Sequence, residues 1–105
     1  MGAILFVVHG KVQGVGYRQF VLYSARKFGI KGMVCNMPEG SVEILAIGED
    51  KSLEKFSKEI KIDMENGPQV MNVKKKVLNL KEKQLQAKIG AYKEFVIEKD
   101  GTRFY

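Results

Sequence analysis

Glycines at positions 10, 14 and 16 and an arginine at position 18 lie close together in the segment GKVQGVGYR, residues 10–18. An apolar stretch precedes this segment and a helical pattern follows it, so the segment joins a strand to a helix. Glycines let successive backbone N–H groups turn toward one point, and the start of a helix adds roughly half a positive charge there. The segment therefore predicts a binding site for a phosphate-like anion.

This segment differs from the two familiar nucleotide-binding loops. It lacks the Gly-Lys-Ser/Thr ending of an NTPase loop, and its glycines do not follow the dinucleotide-binding spacing. A tight turn with a solvated arginine is the alternative explanation. The helix dipole opposes an arginine at a helix N-terminus, however, and a bound anion would offset that repulsion. Arg18 is therefore the first candidate for an anion-binding residue.

The composition is typical of one globular domain, which we assign to residues 1–105. Hydrophobic residues make up 45% of the chain and charged residues 29%, and the net charge is +6. Neither an apolar run of membrane-spanning length nor a signal-peptide pattern occurs, so we expect a cytoplasmic protein without a membrane partner. One cysteine and one histidine exclude an internal disulfide and a zinc cluster of soft ligands, and we predict no metal site.

The first half of the chain predicts a strand, a helix and a hairpin. Residues 3–8 are apolar at every position, as in a strand buried on both faces. A first helix follows and ends at Gly29. Its apolar and small residues recur with helical spacing, at Phe20, Val21, Ser24, Ala25 and Phe28. Residues 31–37 and 42–47 flank a turn and predict two paired strands.

The second half predicts another helix and two more strands. We expect Asp50 or Ser52 to cap the helix. Its apolar stripe consists of Leu53, Phe56, Ile60 and Met64. The fourth strand is indicated by Met71, Val73 and Val77, and a short last strand by Phe95 and Ile97.

The order β-α-β-β-α-β plus a short C-terminal strand predicts a ferredoxin-like α/β sandwich. Right-handed crossovers place the two helices on one face of a mixed, mainly antiparallel sheet. The loop after the first strand and the far end of the second strand then emerge at the same edge. Asn36 lies at that far end, about two strand spacings or roughly 10 Å from the loop.

Residues 10–18, together with the segment GMVCNMPEGSVE at residues 32–43, closely resemble the two signature segments of the acylphosphatase family. The similarity extends over nearly the whole chain and includes Gly67, Pro68 and the segment YKEFVI at residues 92–97. Many family members have Trp-Val-Arg-Asn where this chain has Met-Val-Cys-Asn at residues 33–36. Residues 33 and 35 should face away from Asn36 across the strand, so we expect packing to differ and catalysis to survive.

The resemblance implies a hydrolase of acyl phosphates that needs no metal and no cofactor. It implies that Arg18 binds the phosphoryl group and that Asn36 orients the attacking water. The backbone N–H groups that assist Arg18 would belong to Gln13, Gly14, Val15, Gly16 and Tyr17. Inorganic phosphate would be product and competitive inhibitor, and we expect a monomer. Residues 100–105 run past the usual last strand, and we expect a lightly packed terminus there.

Two other functions are open to the same fold, a nucleic-acid-binding module and a sensor that binds phosphate without turnover. Lys74, Lys75 and Lys76 could touch nucleic acid, but three lysines on a strand are more typical of a solvated surface. RNA-recognition domains also carry stacking aromatics on the sheet, and residues 42–47 contain none. We therefore expect nucleic acid not to be a partner.

Overall fold

Strands and helices follow one another in the predicted order up to the end of the fourth strand. The computed structural model describes residues 1–102. Its elements are β1 (Gly2–Lys11), α1 (Tyr17–Lys27), β2 (Lys31–Asn36), β3 (Val42–Gly48), α2 (Asp50–Glu59), β4 (Gln69–Val77), α3 (Lys83–Gly90) and β5 (Phe95–Ile97).

The strands form one sheet in the order β4-β1-β3-β2-β5. β1 pairs antiparallel with β3 and β4, β2 pairs antiparallel with β3, and β2 pairs parallel with β5. Every residue of the central strand β3 is buried. The predicted ferredoxin-like sandwich is confirmed. β3 lies between β1 and β2, in agreement with the two strand spacings predicted between the loop and the end of β2.

α1 and α2 cover one face of the sheet, as predicted. Phe6 of β1 meets Phe56 of α2 edge to face, with 6.1 Å between the ring centroids. Between the two helices, Ser24 donates a hydrogen bond to Glu59, and Lys27 Nζ lies 2.5 Å from Glu59 Oε1. These two contacts, the one from Lys27 first, lower the pKa of the Glu59 carboxyl.

The other face of the sheet is covered by α3, which the sequence did not predict. Leu85 of α3 is buried there, and Ile89 packs against the same apolar cluster. Met33 and Cys35 belong to this cluster, whereas their neighbour Val34 belongs to the cluster under α1 and α2. Side chains alternate along a strand, so Asn36 shares the face of Val34, and residues 33 and 35 face away from Asn36 as predicted. Met33 and Cys35 pack beneath α3.

The second helix is shorter than predicted. α2 ends at Glu59, so the apolar stripe stops at Ile60, and Met64 is half exposed. Its N-cap is Glu49, without a side-chain capping bond, and Asp50 is the first helical residue, so the predicted cap at Asp50 or Ser52 is wrong. The helix ends because the chain turns back early, and Asp63 already forms a bridge with Gln69 at the start of β4.

β4 lies at the edge of the sheet and is largely exposed. Met71 and Val77 are 84% and 71% exposed, so of the three apolar residues predicted for this strand only Val73 packs against the core. Lys74, Lys75 and Lys76 lie opposite Val7, Phe6 and Leu5 of β1 and are all exposed. The lysine cluster thus occupies an outer strand.

No helix within residues 1–102 is both long enough and apolar enough to cross a membrane.

Candidate active site

The turn between β1 and α1 depends on glycine backbone conformations. Gly14 and Gly16 have φ angles of 71° and 81°, in the left-handed region that other residues rarely adopt. Gly16 is the N-cap of α1, and its carbonyl accepts the helix's first bond from the Phe20 N–H at 3.1 Å. The N–H groups of the first helical turn therefore have no acceptor within the helix and are available to a ligand.

A small cavity of about 150 Å³ opens at this turn. It is lined by Val12, Gly14, Gly16, Tyr17, Arg18, Gln19 and Ile97. Pockets for drug-sized ligands usually measure about 300–1,000 Å³. This cavity therefore suits a small anion better than a nucleotide. We call it the cradle.

The side chain of Gln13 fastens the turn to the β2–β3 hairpin. Its Nε2 donates to the carbonyl oxygens of Met37 and Ser41, each at 2.8 Å. Val15 is half-buried and packs against the main core. Neither Gln13 nor Val15 is among the residues that line the cradle.

Tyr17 anchors the start of α1 in the core. Its side chain is buried, its hydroxyl donates to the Ile60 carbonyl at 2.8 Å, and its ring stacks on Phe20 at 6.4 Å. Burial raises the pKa of the Tyr17 phenol well above its usual range, so the hydroxyl stays protonated and keeps this bond. Tyr17 thus fixes the direction of the helix that presents Arg18.

Arg18 lines the cradle and is also paired with a carboxylate from the far end of the chain. Its Nη1 donates to Asp100 Oδ1 at 2.9 Å. The Arg18 side chain is 36% exposed and that of Asp100 is 67% exposed. No local pattern in the sequence could have indicated a pair so far apart along the chain, and the same holds for Ile97, which also lines the cradle.

Asn36 is the last residue of β2, lies opposite Val42 and is 7% exposed. Its side chain does not line the cradle. Its Oδ1 is buried without a hydrogen-bond partner among residues 1–102. Ile97, which does line the cradle, pairs with Val34 on the same strand, so Asn36 lies just beyond the cradle along β2.

The chain after β5 lies against β2 rather than hanging free. The Glu98 and Gly101 N–H groups donate to the carbonyls of Val34 and Asn36 at 2.9 and 2.8 Å. The Cys35 thiol donates to the Thr102 carbonyl at 2.9 Å. The backbone of residues 101 and 102 thus has hydrogen-bond partners on β2, while Asp100 and Gly101 are exposed. The expectation of a lightly packed terminus over residues 100–105 stays a prediction. Residues 103–105 lie outside the described residues.

Residues 1–102 contain no group of three or more His, Cys, Asp or Glu side chains that could hold a metal ion. Cys35 is buried beneath α3, and His9 lies on β1 opposite Asn72. The polar groups that the fold brings to the cradle are therefore the backbone of the turn and the Arg18 guanidinium, with Gln19 beside them.

Comparison with known proteins matches residues 4–97 to the model of one family, Acylphosphatase. An acylphosphatase of Actinobacillus pleuropneumoniae serotype 5b is 56% identical over 52 residues, which are 50% of this chain and 58% of that protein. One of Archaeoglobus fulgidus is 45% identical over 74 residues, 70% of this chain and 79% of that protein. The match thus spans less than two thirds of the Actinobacillus protein.

Among solved structures, the crystal structure of acylphosphatase from Bacillus subtilis superposes with a TM-score of 0.77 at 31% identity. The superposition covers 93% of this chain and 99% of that one.

Proposed function

Because this chain belongs to the acylphosphatase family, we propose that it hydrolyses acyl phosphates to a carboxylate and inorganic phosphate. The observation that carries the proposal is the cradle, a small cavity at a strand-to-helix turn in which left-handed glycines and Arg18 meet. Phosphoryl transfer needs mainly positioning and stabilisation of charge on the phosphoryl oxygens. Backbone N–H groups and one guanidinium supply both.

In this proposal the phosphoryl group lies in the cradle. The N–H groups of residues 13–17 surround it, and the Arg18 guanidinium donates to its oxygens. The left-handed φ angles at Gly14 and Gly16 and the anchoring of Gln13 and Tyr17 support this role, because they hold the turn in one shape before a ligand arrives. A preformed site loses little free energy in ordering when it binds.

Asn36 orients the attacking water in the proposed mechanism. Support comes from its Oδ1, which is buried and has no partner within residues 1–102. A buried amide oxygen without a hydrogen bond is costly, and a bound water that donates to it would remove the cost. That same hydrogen bond would fix the direction in which the water's lone pair points.

The proposed site contains no general acid, and the substrate class explains why. The carboxylate that leaves an acyl phosphate is a good leaving group and needs no proton. The alkoxide that leaves a phosphate monoester does need one. We therefore propose acyl phosphates as substrates, with inorganic phosphate as product and competitive inhibitor. A single domain over residues 1–105, a monomeric state and a cytoplasmic location are part of the same proposal.

Hydrolysis without a metal tests this proposal directly. Purified protein incubated with acetyl phosphate and excess chelator is expected to release phosphate as fast as without chelator, because the proposed groups are all side chains and backbone of the chain. A phosphate monoester measured in parallel should be turned over far more slowly. Loss of most activity with chelator, restored by a divalent ion, would contradict the proposed mechanism.

Nucleic-acid binding is the second candidate, and the lysine cluster on β4 favours it. The sheet face opposite α1 and α2, which such domains use for stacking bases, is covered here by α3 and the buried Leu85. Replacing Lys74, Lys75 and Lys76 together with glutamine is therefore expected to leave kcat/KM for acetyl phosphate within a few-fold. Submicromolar, salt-sensitive RNA binding by the parent that disappears in this variant would favour the second candidate instead.

A further inference from the structure

The segment after β5 brings a negative charge to the cradle. Two backbone hydrogen bonds hold this segment along β2. The Glu98 N–H donates to the Val34 carbonyl, and the Gly101 N–H donates to the Asn36 carbonyl. Asp100 lies between these two anchors, and its Oδ1 accepts from Arg18 Nη1 at 2.9 Å. The backbone bonds on either side of Asp100 thus place its carboxylate within reach of Arg18.

The geometry leaves the cradle open while Asp100 is paired. Arg18 lines the cradle and Asp100 does not. The contact uses Nη1 of the guanidinium, which has five N–H donors in a planar fork, so donors remain for a phosphoryl group. Asp100 is also 67% exposed, so its charge acts through solvent on whatever enters beside Arg18. A ligand in the cradle would therefore meet the guanidinium and, behind it, a carboxylate.

We propose that Asp100 is a specificity-determining residue whose charge weakens the binding of anions in proportion to their negative charge. This inference rests on the proposed function. Inorganic phosphate leaves more readily because of Asp100. Acyl phosphates whose acyl group carries a further carboxylate are disfavoured relative to those with a neutral acyl group, because the additional charge adds to the repulsion.

The substitution Asp100→Asn tests the proposal, because it removes the negative charge of the side chain and keeps its shape. Phosphate affinity, measured by titration calorimetry, is expected to rise at low salt by about threefold for each negative charge on the phosphate, the effect of one unit charge roughly 7 Å away in water. The ratio of kcat/KM for succinyl phosphate to that for acetyl phosphate should rise by a similar factor. Both changes should shrink at about 1 M salt, where the Debye length falls to about 3 Å.

Two variants serve as controls. Asp100→Glu keeps the charge and is expected to behave like the parent. Asp50→Asn makes the same substitution beside Gly2, at the opposite end of β1 from the cradle, and should change neither phosphate affinity nor the substrate ratio.

The inference is overturned if Asp100→Asn binds phosphate more weakly and loses turnover, because Asp100 would then be holding Arg18 in position. An unchanged phosphate affinity and substrate ratio would overturn it as well. The proposed function fails separately, if the parent hydrolyses no acyl phosphate. Calorimetry with phosphate tests the effect of Asp100 on the cradle even in that case.

Discussion

Replacing Arg18 with glutamine is expected to lower kcat for acetyl phosphate by at least about 10²-fold and to weaken competitive inhibition by inorganic phosphate. Within residues 1–102, Arg18 is the one cationic side chain that lines the cradle. Its guanidinium would contact the phosphoryl group both before and during the reaction, so substrate binding and chemistry should fail together. Steady-state kinetics with phosphate as inhibitor measures both effects.

Two further substitutions serve as controls. One tests whether positive charge alone is enough at position 18, and the other tests whether any arginine of α1 has the same effect. Arg18→Lys keeps the charge but loses the planar fork, and we expect it not to restore activity. Arg26→Gln removes another arginine of α1, one that is 58% exposed and paired with Glu94 at 3.3 Å, and it should leave kcat near the parent value. If Arg18→Gln binds phosphate as well as the parent, the assignment of Arg18 is wrong.

Replacing Asn36 with alanine is expected to lower kcat by a similar order, about 10²-fold, while the inhibition constant for phosphate stays near the parent value. The physical reason is that Asn36 would hold only the water. Its side chain is absent from the lining of the cradle, so its removal should cost the ligand no contact. Measuring kcat and phosphate inhibition on one preparation distinguishes this pattern from that of Arg18.

The control for this second prediction is Asn72→Ala, which removes an exposed amide from the edge strand β4. Asn72→Ala is expected to change neither kcat nor the inhibition constant for phosphate. Circular dichroism should show that Asn36→Ala is folded, because alanine at this position removes a buried polar atom that lacks a partner. Near-parent turnover in a folded Asn36→Ala would exclude the proposed role.

Most of the fold could be predicted because the signals for it are local. The apolar residues 3–8, the helical spacing after Arg18 and the turn at residues 38–41 each determine one element from adjacent residues. Right-handed crossovers then leave few arrangements of two helices on a sheet. The cradle could be predicted for the same reason, since its glycines and arginine are consecutive parts of one turn.

The parts that could not be predicted depend on contacts between distant residues. Nothing near Arg18 indicates that Asp100 will pair with it, and nothing near Ile97 indicates that β5 will lie parallel to β2 beside the cradle. The helix α3 was missed because it has too few apolar residues to show a helical pattern. Leu85 is its only buried residue, and Ile89 is partly buried. Its stability comes from the sheet beneath it rather than from its own pattern.

The lysines of β4 affect how two molecules of this protein can associate through their edge strands. An edge strand offers unpaired N–H and C=O groups to any other strand, and this edge runs over nine residues with Met71 and Val77 exposed on it. Antiparallel pairing of two copies about Lys75 would set three lysines against three lysines. Like charges directly opposite each other destabilise a strand pair. The cluster therefore disfavours this edge-to-edge pairing of two copies, although the sheet ends in an open strand.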